Sequence, residues 1–510
     1  MNRIRAGAIA QQQPDSKASG ARSGVRDPRG VLFDEAALRQ MTSAINSGRR
    51  RVLCAALAAP TLGLLSSTLV RGEASKQLRL AATRQSLVGA GNPDTAVWAY
   101  NGTVPGPELR FKQGERLMIE VENALGVDTT VHWHGVRVPN AMDGVPQLTQ
   151  PPIKANGGRF RYEFELRDAG TYWYHPHLGS PEQVGRGLYG PLIVDEVQPP
   201  AVDRDVVWML GDWRLDREAR IVGDFGNFMD ASHAGRIGNS VTVNGAIRET
   251  FDLRAGERIR LRLVNAANAR IFGLEFRGHD PMVVALDGQP VEPHRPEGDR
   301  VVLGPSMRAD VLLDATGEPG RSYTVADDFY PRRAYRLLNL NYLKERFRGG
   351  RAGSPPPKLA PNPLSEPDLT KAQRHRVEFG GGMMGNMPGM GMMGMPMGHR
   401  MAWTVNGKPM PDNGHAHEPI LQLGLGRSYV LELVNDTQWH HPIHLHGHVF
   451  RVLSRDGKPT RQRQWLDTVL LDPRSRAEIA LVADNPGGWM LHCHVLEHQA
   501  SGMMAVIRVA

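Results

Sequence analysis

A chain of 510 residues with 41% hydrophobic and 22% charged side chains is long enough for about three domains and has the balance of an ordinary globular protein. Its 56 glycines and 37 prolines favour a turn-rich β architecture over long helices. A formal charge of +8 invites an anionic partner. Part of that charge, however, lies in the first fifty residues and no aromatic–basic patch accompanies it, so nucleic acid is set aside in favour of a solvated basic surface.

The first segment, 1–75, reads as an N-terminal extension and an export signal. Gly48-Arg49-Arg50-Arg51 precedes the apolar run Val52–Leu65, and small residues follow to about Ala74. A basic region, a short apolar stretch and a small-residue end are the parts of a secretory signal, and tandem arginines point to the twin-arginine route. Pro60 interrupts the run, so no stable membrane insertion is expected. Met41 is a natural start for this signal, with 1–40 as an extension. The expected location is periplasmic or otherwise exported, with the twin-arginine export machinery as a partner. Of the two cysteines, Cys54 would leave with the signal and Cys493 would remain. An unpaired thiol in an exported protein needs a reason to stay reduced, and a metal supplies one.

Beyond the signal the chain repeats itself three times. Asn101-Gly102, Asn244-Gly245 and Asn406-Gly407 are turn pairs. Each is followed by a glycine (Gly114, Gly256, Gly426), an alternating strand, and an asparagine nine positions after that glycine (Asn123, Asn265, Asn435). The unit is a β-domain, plausibly a sandwich. The expected division is 76–198, 199–347 and 402–510, with 348–401 as a Pro/Gly-rich linker and Met-rich loop. Nine residues past the asparagine the first copy has His132-Trp-His134 and the third has His444-Leu-His446, where the second has Leu274-Glu-Phe276. The middle copy therefore reads as a structural spacer, and the two outer copies must meet.

Four His-x-His pairs occur: His132/His134, His175/His177, His444/His446 and His492/His494. On a strand each pair projects both imidazoles to one face. One pair is weak evidence; two per terminal domain make a cluster. His441, Cys493, His498 and Met503 add imidazoles, a thiolate and a thioether, the ligand mixture of a blue-copper electron-transfer site. Alternation along the strand sends Cys493 one way and His492 and His494 the other. One short segment could then serve a copper on one side and a multi-metal cluster on the other.

The motifs H-W-H-G at 132–135, Y-H-P-H at 174–177, H-P-I-H-L-H-G at 441–447 and H-C-H-x3-H-x4-M at 492–503 resemble those of the three-domain multicopper oxidases, the laccases and bacterial periplasmic cuprous oxidases. The resemblance covers essentially 78–510. It implies an all-β fold of three tandem cupredoxin-like Greek-key β-sandwich domains and four copper ions. His441, Cys493, His498 and axial Met503 would form the type 1 site, and His132 and His444 would hold the type 2 copper. The type 3 pair would take His134, His175 and His494 on one side and His177, His446 and His492 on the other. Cys493 would carry electrons between the sites, dioxygen would be the acceptor, and Asp143 would relay protons, the bland alternative being a loop-capping aspartate. A second family acid is replaced here by Gln499, which cannot ionise.

Nine of the 21 methionines fall between 383 and 401, among them Met383, Met384, Met387, Met390, Met392, Met393, Met395 and Met397. Interspersed Gly and Pro deny them a helical or strand face, so they do not read as core. Thioethers select Cu(I), which makes this stretch a candidate for substrate-copper capture; a passive low-complexity linker is the alternative. Cuprous oxidases of the family place an Asp and a Met just before the first type 1 histidine, whereas Thr437-Gln-Trp439-His440 stands here. Three expectations follow: a Cu(I) oxidase in copper tolerance, a laccase-like oxidase of small phenolic donors and aromatic amines, or a non-enzymatic copper-binding scaffold. A monomer is expected.

Overall fold

In the computed structural model the described residues are 76–383, 402–410, 418–460, 462 and 464–510. The signal segment, Cys54, and Met384, Met387, Met390, Met392, Met393, Met395 and Met397 lie outside them. Among the described residues no helix is long and apolar enough to cross a membrane.

The chain forms three successive pairs of facing sheets. The first pair has a four-stranded sheet containing Lys76–Gln85 and Arg116–Asn123, and a second built from Leu109–Lys112, Gly190–Asp195, Gly170–His175 and His132–His134. The middle pair has a six-stranded sheet with Arg204–Trp213, Arg258–Asn265 and Arg308–Asp314 adjacent, and a five-stranded sheet. In the last pair the five-stranded sheet runs Leu421–Leu423, Met504–Val509, Gly487–Cys493, His441–Leu445, Thr468–Leu471. This is an all-β assembly of three cupredoxin-like domains.

The repeat seen in the sequence is a repeat of hydrogen bonds. Lys76–Gln85 pairs parallel with Arg116–Asn123, Arg204–Trp213 with Arg258–Asn265, and Gln373–Gly381 with Ser428–Asn435. The turn asparagines Asn101, Asn244 and Asn406 all adopt positive φ (51°, 52°, 50°), as do the glycines that follow them, the conformation Asn and Gly tolerate best. Their side-chain oxygens accept the backbone N–H of Arg79, Met209 and Glu378 at 2.7, 2.7 and 2.8 Å. The strand-ending asparagines are buried, and each Oδ1 accepts the N–H two residues on, of Leu125, Ala267 and Thr437. Each amide also donates to one carbonyl of the following loop (Val127, Arg270, Trp439) and to carbonyls of a distant segment packed beside it (Ile153 and Lys154, Leu303, Asp472). Bonds of this kind are worth about 1 kcal/mol each, and they pin the loop that delivers the next strand. In the outer copies that next strand carries histidines.

Gln373–Gly381 lies inside the stretch 348–401 expected to be a linker and Met-rich loop. Its alternation, with Val377 and Phe379 buried, makes it the opening strand of the last sheet pair. One apolar core runs continuously from Leu78 and Trp133 to Trp403, Cys493 and Val509, so the first and third domains share an interior. The middle domain has its own core around Trp208, Leu261 and Val311.

Candidate metal centres

Antiparallel pairing sets His132 opposite His175 on one side of the seam, and His444 opposite His492 with Ile443 opposite Cys493 on the other. The eight histidines of the four His-x-His pairs meet where the two outer domains join. Their rings interleave: His132 stacks on His446 at 4.0 Å and His134 on His444 at 3.8 Å between centroids. Three all-histidine sets bring ligand atoms within 4.8 Å of one another here, His132/His134/His175, His132/His444/His446 and His177/His446/His492, and a fourth joins Asp467 to His134 and His444. His494 completes the group, with its ring 4.9 Å from His134 and 5.1 Å from His175.

The nitrogens divide into an outer and an inner set. Outward, Nδ1 of His132, His175, His444 and His492 donates to the carbonyls of Asp143, Pro176, Asp467 and Cys493 at 2.8–2.9 Å. Nδ1 of His446 donates to Asp143 Oδ2 at 2.8 Å. Inward, bare nitrogens face each other: His446 and His492 Nε2 at 3.0 Å, His177 and His492 Nε2 at 3.4 Å, His175 and His494 Nε2 at 3.4 Å. His132 Nε2, His134 Nδ1 and His444 Nε2 are buried with no protein partner. Opposed lone pairs and orphaned acceptors in a dry interior are costly unless a cation sits among them. Burial holds His134, His175, His177, His446, His492 and His494 well below the ordinary histidine range, so protons do not fill that role. Neutral imidazoles fixed from behind by carbonyls and carboxylates are what metal ions bind. The donor set fits copper.

The second cluster lies on the opposite side of the Cys493 strand. His441, Cys493 and His498 bring ligand atoms within 4.8 Å of one another. His441 Nδ1 is 3.4 Å and His498 Nδ1 3.7 Å from the Cys493 Sγ, and the two nitrogens are 3.2 Å apart. Their far nitrogens are held by Thr437 Oγ1 (2.8 Å) and the His233 carbonyl (2.6 Å). Burial pushes the Cys493 thiol well above its ordinary range and brings His498 down to about 3. A thiolate in this pocket therefore needs a cation beside it. Met503 is fully buried, and its carbonyl accepts the Cys493 N–H at 3.1 Å. Trp403 covers both rings, 4.2 Å from His498 and 5.1 Å from His441 between centroids.

Asp143 is fully buried. Oδ2 meets His446, and Oδ1, without a hydrogen-bond partner, lies 3.4 Å from His132 Nδ1. Gln499 is also buried, and neither of its amide atoms finds a protein partner.

Three sequence-family profiles, each described as multicopper oxidase, match residues 81–199, 204–342 and 386–510. The chain belongs to the multicopper oxidase family. It is 32% identical to the multicopper oxidase MmcO of Mycobacterium tuberculosis over 82% of this chain and 84% of that one. It is 27% identical to copper resistance protein A of Pseudomonas syringae pv. tomato over 89% and 95%. The crystal structure of a multi-copper oxidase from Pseudomonas thermotolerans superposes with a TM-score of 0.77 at 37% identity, covering 86% and 99%. This multicopper oxidase is accordingly an oxygen-using oxidoreductase with one type 1, one type 2 and a pair of type 3 coppers.

The sequence did not point to the residues behind the histidines. Asp467 Oδ1 lies 3.2 Å from His134 Nε2. Arg308 and Asp287, both fully buried in the middle domain, converge on Asp467 and its neighbour Thr468. Burial works against an ionised Asp467, but the Arg308 guanidinium and His444 hold its carboxyl below the usual carboxylate range. Asp287 is pushed up to about 7 by burial and by the charge of Asp467. The available signal was an acid inside the apolar run Trp465-Leu-Asp467-Thr-Val-Leu-Leu471, since an unpaired charge is rarely buried.

Proposed function

We propose that this multicopper oxidase takes its electrons from Cu(I) and passes them to dioxygen, which is reduced by four electrons to water, in the service of copper tolerance outside the cytoplasm. The carrying observation is where the methionine-rich stretch begins and ends. Met383 donates its N–H to Ser232 at 2.9 Å, and its carbonyl receives the Trp439 indole N–H at 3.3 Å. At the other end Ala402 accepts the Gly382 N–H at 2.8 Å, and Trp403 lies against His498. A chain segment whose sequence is dense in soft Cu(I) ligands is thus tethered at both ends beside the type 1 histidines. The name of the copper resistance relative agrees with this reading.

The ligand assignment we propose is type 1, His441, Cys493, His498 and Met503; type 2, His132 and His444; type 3, His134, His175 and His494 with His177, His446 and His492. Copper supplies the one-electron redox chemistry. The protein's residues do the rest. Cys493 and its flanking His492 and His494 give an unbroken covalent path between the two clusters. Asp143 orients His446 through Oδ2, and its Oδ1, beside His132, is the atom we assign to the proton relay. Trp403 and the buried walls keep water off the Cys493 sulfur.

A second reading, oxidation of phenols, is favoured by the aromatic rim: Trp439 packs on His233, and Phe228 on the adjacent helix Phe228–Ser232 is half exposed. Oxygen uptake with Cu(I) and with a phenol, measured with and without residues 383–401, separates the two. Cu(I) turnover lost on deletion supports the metallo-oxidase. Phenol turnover indifferent to deletion, with weak Cu(I) turnover throughout, would make this a laccase.

A further inference from the structure

The middle domain contributes no candidate copper ligand, yet it reaches the histidine cluster. Arg308, on the strand Arg308–Asp314, is fully buried. Its Nη1 and Nη2 grip Asp467 Oδ1 and Oδ2 at 2.9 and 2.5 Å, and its Nε donates to the Thr171 carbonyl at 3.2 Å. One guanidinium therefore ties its own domain to a strand of the first and a loop of the third. Asp467 then touches both sides of the cluster. Its Oδ1 meets His134 Nε2, and its carbonyl accepts His444 Nδ1 at 2.9 Å. Asp287 completes the support by accepting the Arg308 N–H through Oδ1 and the Thr468 N–H through Oδ2, both at 3.0 Å. Gly135 of the H-W-H-G motif, at φ 81°, packs so closely that a Cβ there would collide with the Arg308 guanidinium and the Asp467 carboxylate.

We propose that Arg308 is a positioning residue of the three-copper site: through Asp467 it fixes His134 with Nε2 protonated and Nδ1 bare, and locks the stacked His134–His444 pair.

A fork-to-fork Arg–carboxylate pair sets the plane of the carboxylate as well as its charge. A carboxylate oxygen can only accept, so His134 must offer it Nε2–H, which leaves Nδ1 as the lone pair turned inward. That Nδ1 is the atom found without a partner. Lysine, a point charge with no planar fork, cannot grip both carboxylate oxygens and also reach the Thr171 carbonyl. Removing the guanidinium strands the Asp467 charge against neutral ligands.

The inference rests on the ligand assignment proposed above. Its test uses the full-length chain loaded with copper and challenged with a graded chelator. The variants are Arg308→Lys and the isosteric Asp467→Asn, with Arg260→Lys as control. Arg260 is buried in the same domain and ion-paired with Glu196 and Asp310, neither of them a candidate ligand. Copper content, the type 2 electron paramagnetic resonance signal, the blue type 1 absorption and the unfolding temperature are read together. Arg308→Lys and Asp467→Asn are expected to weaken copper retention at the three-copper site about 10- to 100-fold, type 3 copper through His134 and type 2 copper through His444, with the blue absorption unchanged; Arg260→Lys keeps all of these. Type 2 copper retained in Arg308→Lys with an unaltered signal would overturn the clamp alone. So would loss of type 1 and type 2 copper together, in step with a fall in the unfolding temperature. A parent chain that loads no type 2 copper would overturn the assignment and the clamp with it.

Discussion

The two candidate centres lie on opposite faces of one strand, yet they are built differently. The type 1 cluster is local: His441, Cys493, His498 and Met503 all belong to the third domain, and three of them fall within eleven residues of sequence. The middle domain touches it through a backbone atom, the His233 carbonyl. The histidine cluster on the other face is assembled from the first and third domains, and the middle domain braces it through Arg308, which grips Asp467 of the third. A local site depends on one strand and one loop, whereas a seam site depends on how whole domains dock. Damage at the first should stay there. Damage at the seam should reach the docking of the domains and lower overall stability, while sparing the type 1 ligands.

The largest expected effect breaks the link between the two. Cys493→Ser removes the soft ligand and should abolish the blue absorption and oxygen uptake together. Three coppers per chain should remain by metal analysis, because no ligand of the seam cluster is altered. Loss of all four would mean the centres are not separable.

Gly135→Ala attacks the seam alone. The added methyl meets Arg308 and Asp467 at a backbone conformation that costs about 1–3 kcal/mol for a non-glycine residue. The unfolding temperature should fall by several degrees and type 2 copper should be depleted, with the blue absorption intact in the folded fraction.

Asp143→Asn sharpens the comparison within the seam. The amide can still accept from His446, so copper content should hold. The lost proton site should lower kcat about 10²- to 10⁴-fold, the usual worth of a positioned acid–base group. An unchanged kcat would reduce Asp143 to a loop cap.

Acid should act on both centres at once when copper is absent. His134, His175, His177, His444, His446, His492 and His494 of the seam and His441 and His498 of the other centre titrate lower in the folded chain, because burial disfavours their charged form, than in the unfolded one, where the ordinary value is about 6.5. As pH falls below that value the unfolded chain binds protons that the folded chain refuses, so stability drops. The unfolding temperature of copper-free protein should decline from pH 7 to pH 5. Copper-loaded protein should decline less, because bound metal favours the folded state.

How much of this was visible in the sequence follows from the same contrast. The His-x-His spacings and the Cys493 segment are local patterns, so both clusters could be read from one chain, although only His132 and His134 both lie on a strand; His177, His446 and His494 fall just past strand ends, where alternation no longer sets their direction. The three asparagine turns were legible for the same reason. Gln373–Gly381 was missed because its partner strand lies more than fifty residues on and the Pro- and Gly-rich sequence before it hid the boundary. Arg308, Asp287 and Asp467 were missed because their pairing crosses domains. The middle copy, silent in ligands, read as a spacer, yet the structure gives it the guanidinium behind the cluster.

The most direct test of the central claim is the stoichiometry of oxygen consumption by the copper-loaded protein supplied with Cu(I). One dioxygen should be consumed for every four cuprous ions oxidised, with no peroxide released. One dioxygen for every two, with peroxide accumulating, or no uptake beyond that of Cu(I) in buffer, would contradict it.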